Sequence, residues 1–112
     1  MAIGFLECAG YGAVLYAMDQ ACKRANIRII GIDTINPKDA TAFIPLTAQV
    51  KFEGSIDDVK EACEAAKRAA LKFNSPEEVL VEMIEKPYQG TRALSHITKV
   101  DLEEENIKNF RR

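Results

Sequence analysis

Three cysteines, a single histidine and a Gly-x-Gly turn are the groups through which this chain could do chemistry. Cys8, Cys22 and Cys63 form no Cys-x-x-Cys pair, and their odd number argues against a disulfide framework. Cys22 and Cys63 fall on the apolar sides of helical stretches, where a small buried hydrophobe is a commoner role than a metal ligand. His96 has no cysteine or carboxylate at ligand spacing, so local packing explains it better than general acid–base work. Gly10-Tyr-Gly12 precedes a helical pattern and would suit an anion at a helix N-terminus. The third glycine of a dinucleotide fingerprint is missing, which favours a structural turn. These groups make no catalytic constellation, and the expectation is a protein that is not an enzyme and carries neither metal nor cofactor.

The elements that would carry these groups follow from periodicity. Ile3 to Glu7 is a short apolar strand running into the Gly10 turn. From Ala13, the apolar residues Val14, Leu15, Met18, Ala21, Cys22 and Ala25 recur at helical spacing. Ile27 to Ile35 is dense in isoleucine on both faces, which predicts a central strand. Asn36 to Thr47 contains two prolines and reads as a long loop. Ala48, Val50 and Phe52 then alternate with Gln49, Lys51 and Glu53, a strand with one face in the core and the other in water.

Gly54 ends that strand, and Ser55 with Asp58 three residues on is a helix-capping signal. The helix it opens has its stripe at Ile56, Val59, Cys63, Ala66 and Ala70, with Asp57 and Asp58 at the positive end and Lys67, Arg68 and Lys72 near the negative end. Glu78 to Glu85 is the last strand, stopped by Lys86-Pro87. The order strand, helix, strand, strand, helix, strand is the β-α-β-β-α-β arrangement of a ferredoxin-like α+β domain, with helices on one face of an antiparallel sheet. Beyond Tyr88, Gln89-Gly-Thr91 is turn-like, Ile97 to Leu102 is a candidate extended segment, and Asp101 to Arg112 is a charged tail. Residues 1–87 form the predicted domain and residues 88–112 a C-terminal extension.

Fifteen basic and seventeen acidic side chains leave a net charge of -2, so neither nucleic acid nor an anionic membrane is an expected partner. Glu7 breaks the first apolar run too early for a signal peptide, and no stretch approaches the roughly 20 apolar residues of a membrane span. A cytoplasmic location is the expectation.

Four segments carry a resemblance that covers about three quarters of the chain. Ile3-Gly-Phe-Leu-Glu-Cys-Ala-Gly10 is similar to the opening strand and glutamate-containing turn of the hexamer-forming shell proteins of bacterial microcompartments. Asp19-Gln-Ala-Cys-Lys-Arg-Ala-Asn-Ile-Arg-Ile-Ile-Gly31 resembles that family's passage from first helix to second strand. Phe52-Glu-Gly-Ser-Ile-Asp-Asp-Val-Lys-Glu-Ala62 resembles its Gly-Asp-Val lead-in to the second helix. Ile84-Glu-Lys-Pro87 is similar to the Pro-Arg-Pro end of its last strand.

The resemblance implies a structural protein: cyclic homohexamers that tile edge to edge into a shell around encapsulated enzymes, with a pore at the sixfold axis. Its partners would be other copies of itself, neighbouring hexamers, other shell proteins and encapsulated enzymes. By motif matching, Lys23 takes the place of the family's edge lysine and Asn26 that of the adjacent asparagine. Lys86 stands where an arginine usually completes the contact, and it lacks the planar fork that bonds two carbonyls at once. Cys8 occupies a position where the family often has threonine or a small polar residue.

The loop that should form the pore is longer than the family's Gly-Ser-Gly-like turn. Asn36, Pro37, Lys38, Asp39, Thr41, Phe43, Ile44, Pro45 and Leu46 are the candidate pore residues, expected to narrow or gate the opening. An oligomeric regulatory domain that binds a small metabolite is the alternative, on fold analogy.

Overall fold

The computed structural model describes residues 1–35, 46–97 and 100–101 of the chain. In chain order the elements are β1 (Ala2–Ala9), α1 (Tyr11–Arg24), β2 (Arg28–Ile35), β3 (Thr47–Gly54), α2 (Ile56–Ala70), a 3-10 turn at Pro76–Glu78, β4 (Leu80–Ile84), α3 (Gln89–Ser95) and the two-residue β5 (Val100–Asp101). The strands lie in the order β4-β1-β3-β2-β5, every neighbouring pair antiparallel. This is the expected split βαβ sheet of an α+β domain, with a short fifth strand added at one edge.

Alternation along the central strands sorts the two faces of the sheet. Leu6 and Cys8 of β1 and Ala48, Val50 and Phe52 of β3 are buried on the same side, in one core with Val14, Ala17, Met18 and Ala21 of α1 and Val59, Ala62, Ala66, Ala69 and Ala70 of α2. The alanines of α2 give it the low relief that lets it lie close to the strands. Gly4 is needed at the crossing: a Cβ there would come within 2.4 Å of the Phe52 ring and 2.9 Å of Val59.

Local chemistry fixes the joints. Gly10, at φ 92 in the left-handed region, turns β1 into α1, and its N–H donates to the Leu46 carbonyl at 2.8 Å. Only this one residue separates strand from helix; Tyr11 and Gly12 already belong to α1. Ser55 caps α2 as its sequence predicts, its Oγ accepting from the Asp58 N–H at 3.1 Å. The Asp58 side chain in turn accepts the Asn26 N–H through Oδ1 at 3.2 Å, tying the start of α2 to the joint between α1 and β2. At the opposite end, buried Asn74 accepts the Ala9 N–H at 3.0 Å.

Three expectations need correction. β2 is not central: β1 and β3 are, and β2 is flanked on its outer side by β5 alone. Its isoleucines crowd because of a bulge. Ile29 pairs with Phe52 and Gly31 with Lys51, so Ile30 is an extra residue, and both Ile29 and Ile32 thereby stand opposite the core-facing Phe52 and Val50. Cys22 is exposed and Cys63 only half-buried, because the buried stripe of α1 runs through Val14, Ala17, Met18 and Ala21 and misses position 22. Gln89 to Ser95 is a helix, not a turn, and it lies across the sheet face opposite α1 and α2.

Candidate functional site

The candidate residues fall at two ends of the sheet. At one, the register aligns Ile84, Ile3, Glu53 and Arg28 in a row across β4, β1, β3 and β2. Asn26 lies two residues before this row and Lys86 two residues after it, so both project from the same end. They are separated by three strand spacings, about 14 Å. Lys23 joins them from the last turn of α1, which ends beside the start of β2.

Each of the three is exposed. The Lys23 ammonium bridges Asp19, one turn back, at 2.8 Å, and this hydrogen bond raises its pKa above the ordinary lysine value. The Asn26 backbone is fixed by its N–H bond to Asp58, and its carbonyl is so close to Gly54 that a Cβ there would lie 3.1 Å away. Lys86 borders a shallow depression of 460 Å³ formed with Met1, Pro87 and Arg92.

The second end is where β2 ends and β3 begins, on either side of residues 36–45. Ile35 and Ala9 both stand opposite Thr47, and half-buried Leu46 is held by its carbonyl bond to Gly10. Of the candidate pore residues only Leu46 belongs to the described structure. Asn36, Pro37, Lys38, Asp39, Thr41, Phe43, Ile44 and Pro45 lie outside the described residues, as do residues 102–112 of the extension.

A charged cluster that the sequence did not reveal sits under α3. Glu53 was expected in water, yet it is 2% exposed. Its Oε1 lies 3.7 Å from Arg28, and its Oε2 lies 3.6 Å from both the Arg92 guanidinium and the His96 Nε2. Beside it, Lys51 bridges Asp33 at 3.4 Å and donates to the Ile97 carbonyl at 3.2 Å. Arg92 on α3 and His96 at its C-cap stand four residues apart, one turn of spacing, and that pairing was the available sequence signal.

The three cysteines differ in burial. Cys8 is in β1 rather than a turn, fully buried, and burial followed by the nearby Glu7 charge pushes its thiol up to about 11. Burial likewise lifts the Cys63 thiol to about 11. Among the described residues no group of three or more His, Cys, Asp or Glu side chains could hold a metal ion, and no helix is long and apolar enough to cross a membrane.

With this geometry in place, three comparisons bear on the chain. The family model of the BMC domain matches residues 2–87. The carboxysome shell protein CcmK2 of Synechocystis sp. is 24% identical over 111 residues, an alignment covering 99% of this chain and 96% of that protein. A solved microcompartment protein from Desulfitobacterium hafniense DCB superposes with a TM-score of 0.62 at 20% identity. The match takes in 90% of this chain and 50% of that one, so the chain spans half the length of that structure.

Proposed function

The chain belongs to the BMC-domain family, and from this we propose that it is a structural, non-enzymatic shell protein of a bacterial microcompartment. Residues 1–87 form the shell domain and residues 88–112 its extension. Six copies close into a ring, rings join edge to edge in the cytoplasm, and the resulting shell surrounds encapsulated enzymes. Other shell proteins are its neighbours in that layer.

One observation carries this reading. The edge candidates Lys23, Asn26 and Lys86 and the roots of the 36–47 loop lie at opposite ends of the same sheet. Eight-residue strands separate those ends by roughly 24 Å. A subunit of a cyclic tile needs that polarity: one end directed to the axis, the other to the next tile. In this arrangement Asn36, Pro37, Lys38, Asp39, Thr41, Phe43, Ile44, Pro45 and Leu46 surround the axis and narrow the pore.

The test is direct. Six copies of a 12.4 kDa chain weigh about 75 kDa by light scattering, and concentrated protein should form sheets, tubes or strips under the electron microscope. A persistent monomer or dimer defeats the tile. A hexamer structure with the 36–47 loops splayed from the axis leaves the tile standing and removes the narrowed pore.

A further inference from the structure

The outer surface of the helical layer carries a groove between α1 and α2. On α1, Tyr16, Gln20 and Arg24 recur every four residues and form one wall. Arg68 of α2 and Lys72, two residues beyond its end, form the other, and Ala65 and Ala69 of α2 leave a floor without side-chain bulk. The groove is open to solvent on one side and offers about 310 Å³, at the small end of the range of ligand sites.

The charge of this groove opposes that of the chain. The net charge is -2, yet three cations line the groove and no carboxylate does. Arg24 alone has an acidic partner, Glu61 at 3.3 Å, and that pair is exposed on both sides. Arg68 has no partner among the described residues. Lys72 donates to the Tyr16 Oη at 3.0 Å, which leaves the phenol O–H directed to a further acceptor. The Tyr16 ring is held in turn by Phe73, edge to face at 5.4 Å.

We propose that this groove binds a small molecule carrying two phosphate groups. Lys72 lies beside Tyr16, and the eight residue steps from Tyr16 to Arg24 span about 12 Å along α1. The cations are therefore spread along the groove, with Lys72 at one end and Arg24 at the other. A single phosphate reaches one end only; two phosphates on a short carbon chain meet both. The guanidiniums supply paired donors to phosphate oxygens, and Lys72 supplies a point charge. The site lies within one chain and does not depend on the tile.

Equilibrium dialysis of the full-length protein against fructose 1,6-bisphosphate, with inorganic phosphate as the one-group comparison, tests this. The bisphosphate should bind saturably and at least tenfold more tightly than phosphate, and raising the salt concentration should weaken it. The double variant Arg68→Gln/Lys72→Gln should lose tenfold or more in affinity. Lys60→Gln/Lys67→Gln, which removes the same charge from α2 outside the groove, should bind as wild type does. Absence of saturable binding overturns the proposal, and so does equal weakening in the two double variants or equal affinity for the two probes. None of these outcomes bears on particle mass or sheet formation, so failure here is distinct from failure of the shell reading.

Discussion

The buried Glu53 carboxylate stands 3.6 Å from the Arg92 guanidinium, so a charge on the central strand β3 is balanced by a helix from beyond the last long strand of the sheet. A carboxylate taken out of water needs such compensation, and removing one partner of a buried pair costs more than the pair contributes. Arg28 faces the same carboxylate at 3.7 Å from β2, so Arg92 is the guanidinium that ties α3 to it.

Arg92→Ala should therefore destabilise the chain by about 1–3 kcal/mol, within the range for a buried group that loses its charged partner. Its urea midpoint should fall, and hydrogen exchange should accelerate across residues 89–97 because α3 loses its anchor. Glu53→Gln, which removes the buried charge as well, should lessen the cost of Arg92→Ala in a double-mutant cycle. Strict additivity would mean that the contact contributes nothing.

Gly4→Ala should be costlier than a methyl group on a strand ordinarily is. The added Cβ would meet the Phe52 ring and Val59, both fully buried. Overpacking of this kind costs about 1–3 kcal/mol, measurable as a lower thermal midpoint. A midpoint within one degree of wild type would show that the ring can move aside.

How much of this was legible in the sequence depended on the range of the interaction. The Ser55–Asp58 cap is local, and its spacing gave it directly. The bulge at Ile30 depends on pairing with β3 at a distance in sequence, so periodicity alone misread its isoleucines as a sandwiched strand. Glu53 fails in the same way: the alternation of β3 is correct, but its water-facing side is covered by α3, whose weak pattern looked like a turn. Lys23 and Asn26 look like ordinary helix-end residues by physical chemistry alone, and only resemblance singled them out.

Thiol chemistry should divide the cysteines by burial. Exposed Cys22 should react first with a maleimide in the native protein, while Cys8 should react only on unfolding. The pH dependence follows from the Cys8 thiol, whose folded value of about 11 exceeds its ordinary value of 9.0. Below pH 9 both states keep the proton and the full stability is present. As pH rises from 9 through 11 the unfolded state alone gains from ionising, and roughly 2–3 kcal/mol is lost. Urea midpoints measured from pH 8 to 11 should fall for wild type and fall less for Cys8→Ala; parallel curves would exclude Cys8 as the source.

The edge assignment makes two predictions of opposite sign. Lys23 is exposed and bridged only to exposed Asp19, so Lys23→Ala should leave chain stability at the wild-type level and the particle near 75 kDa. If Lys23 meets its counterpart in the next tile, the same substitution should raise the concentration needed for sheet formation by about fivefold or more, since one lost contact recurs at every edge. Lys86→Arg should act the other way: a guanidinium bonds two carbonyls where an ammonium makes a point contact, so sheets should form at lower concentration. Pelleting assays and negative-stain images across a dilution series measure both. Loss of the hexamer in Lys23→Ala would move Lys23 from the edge between tiles to the interface within one.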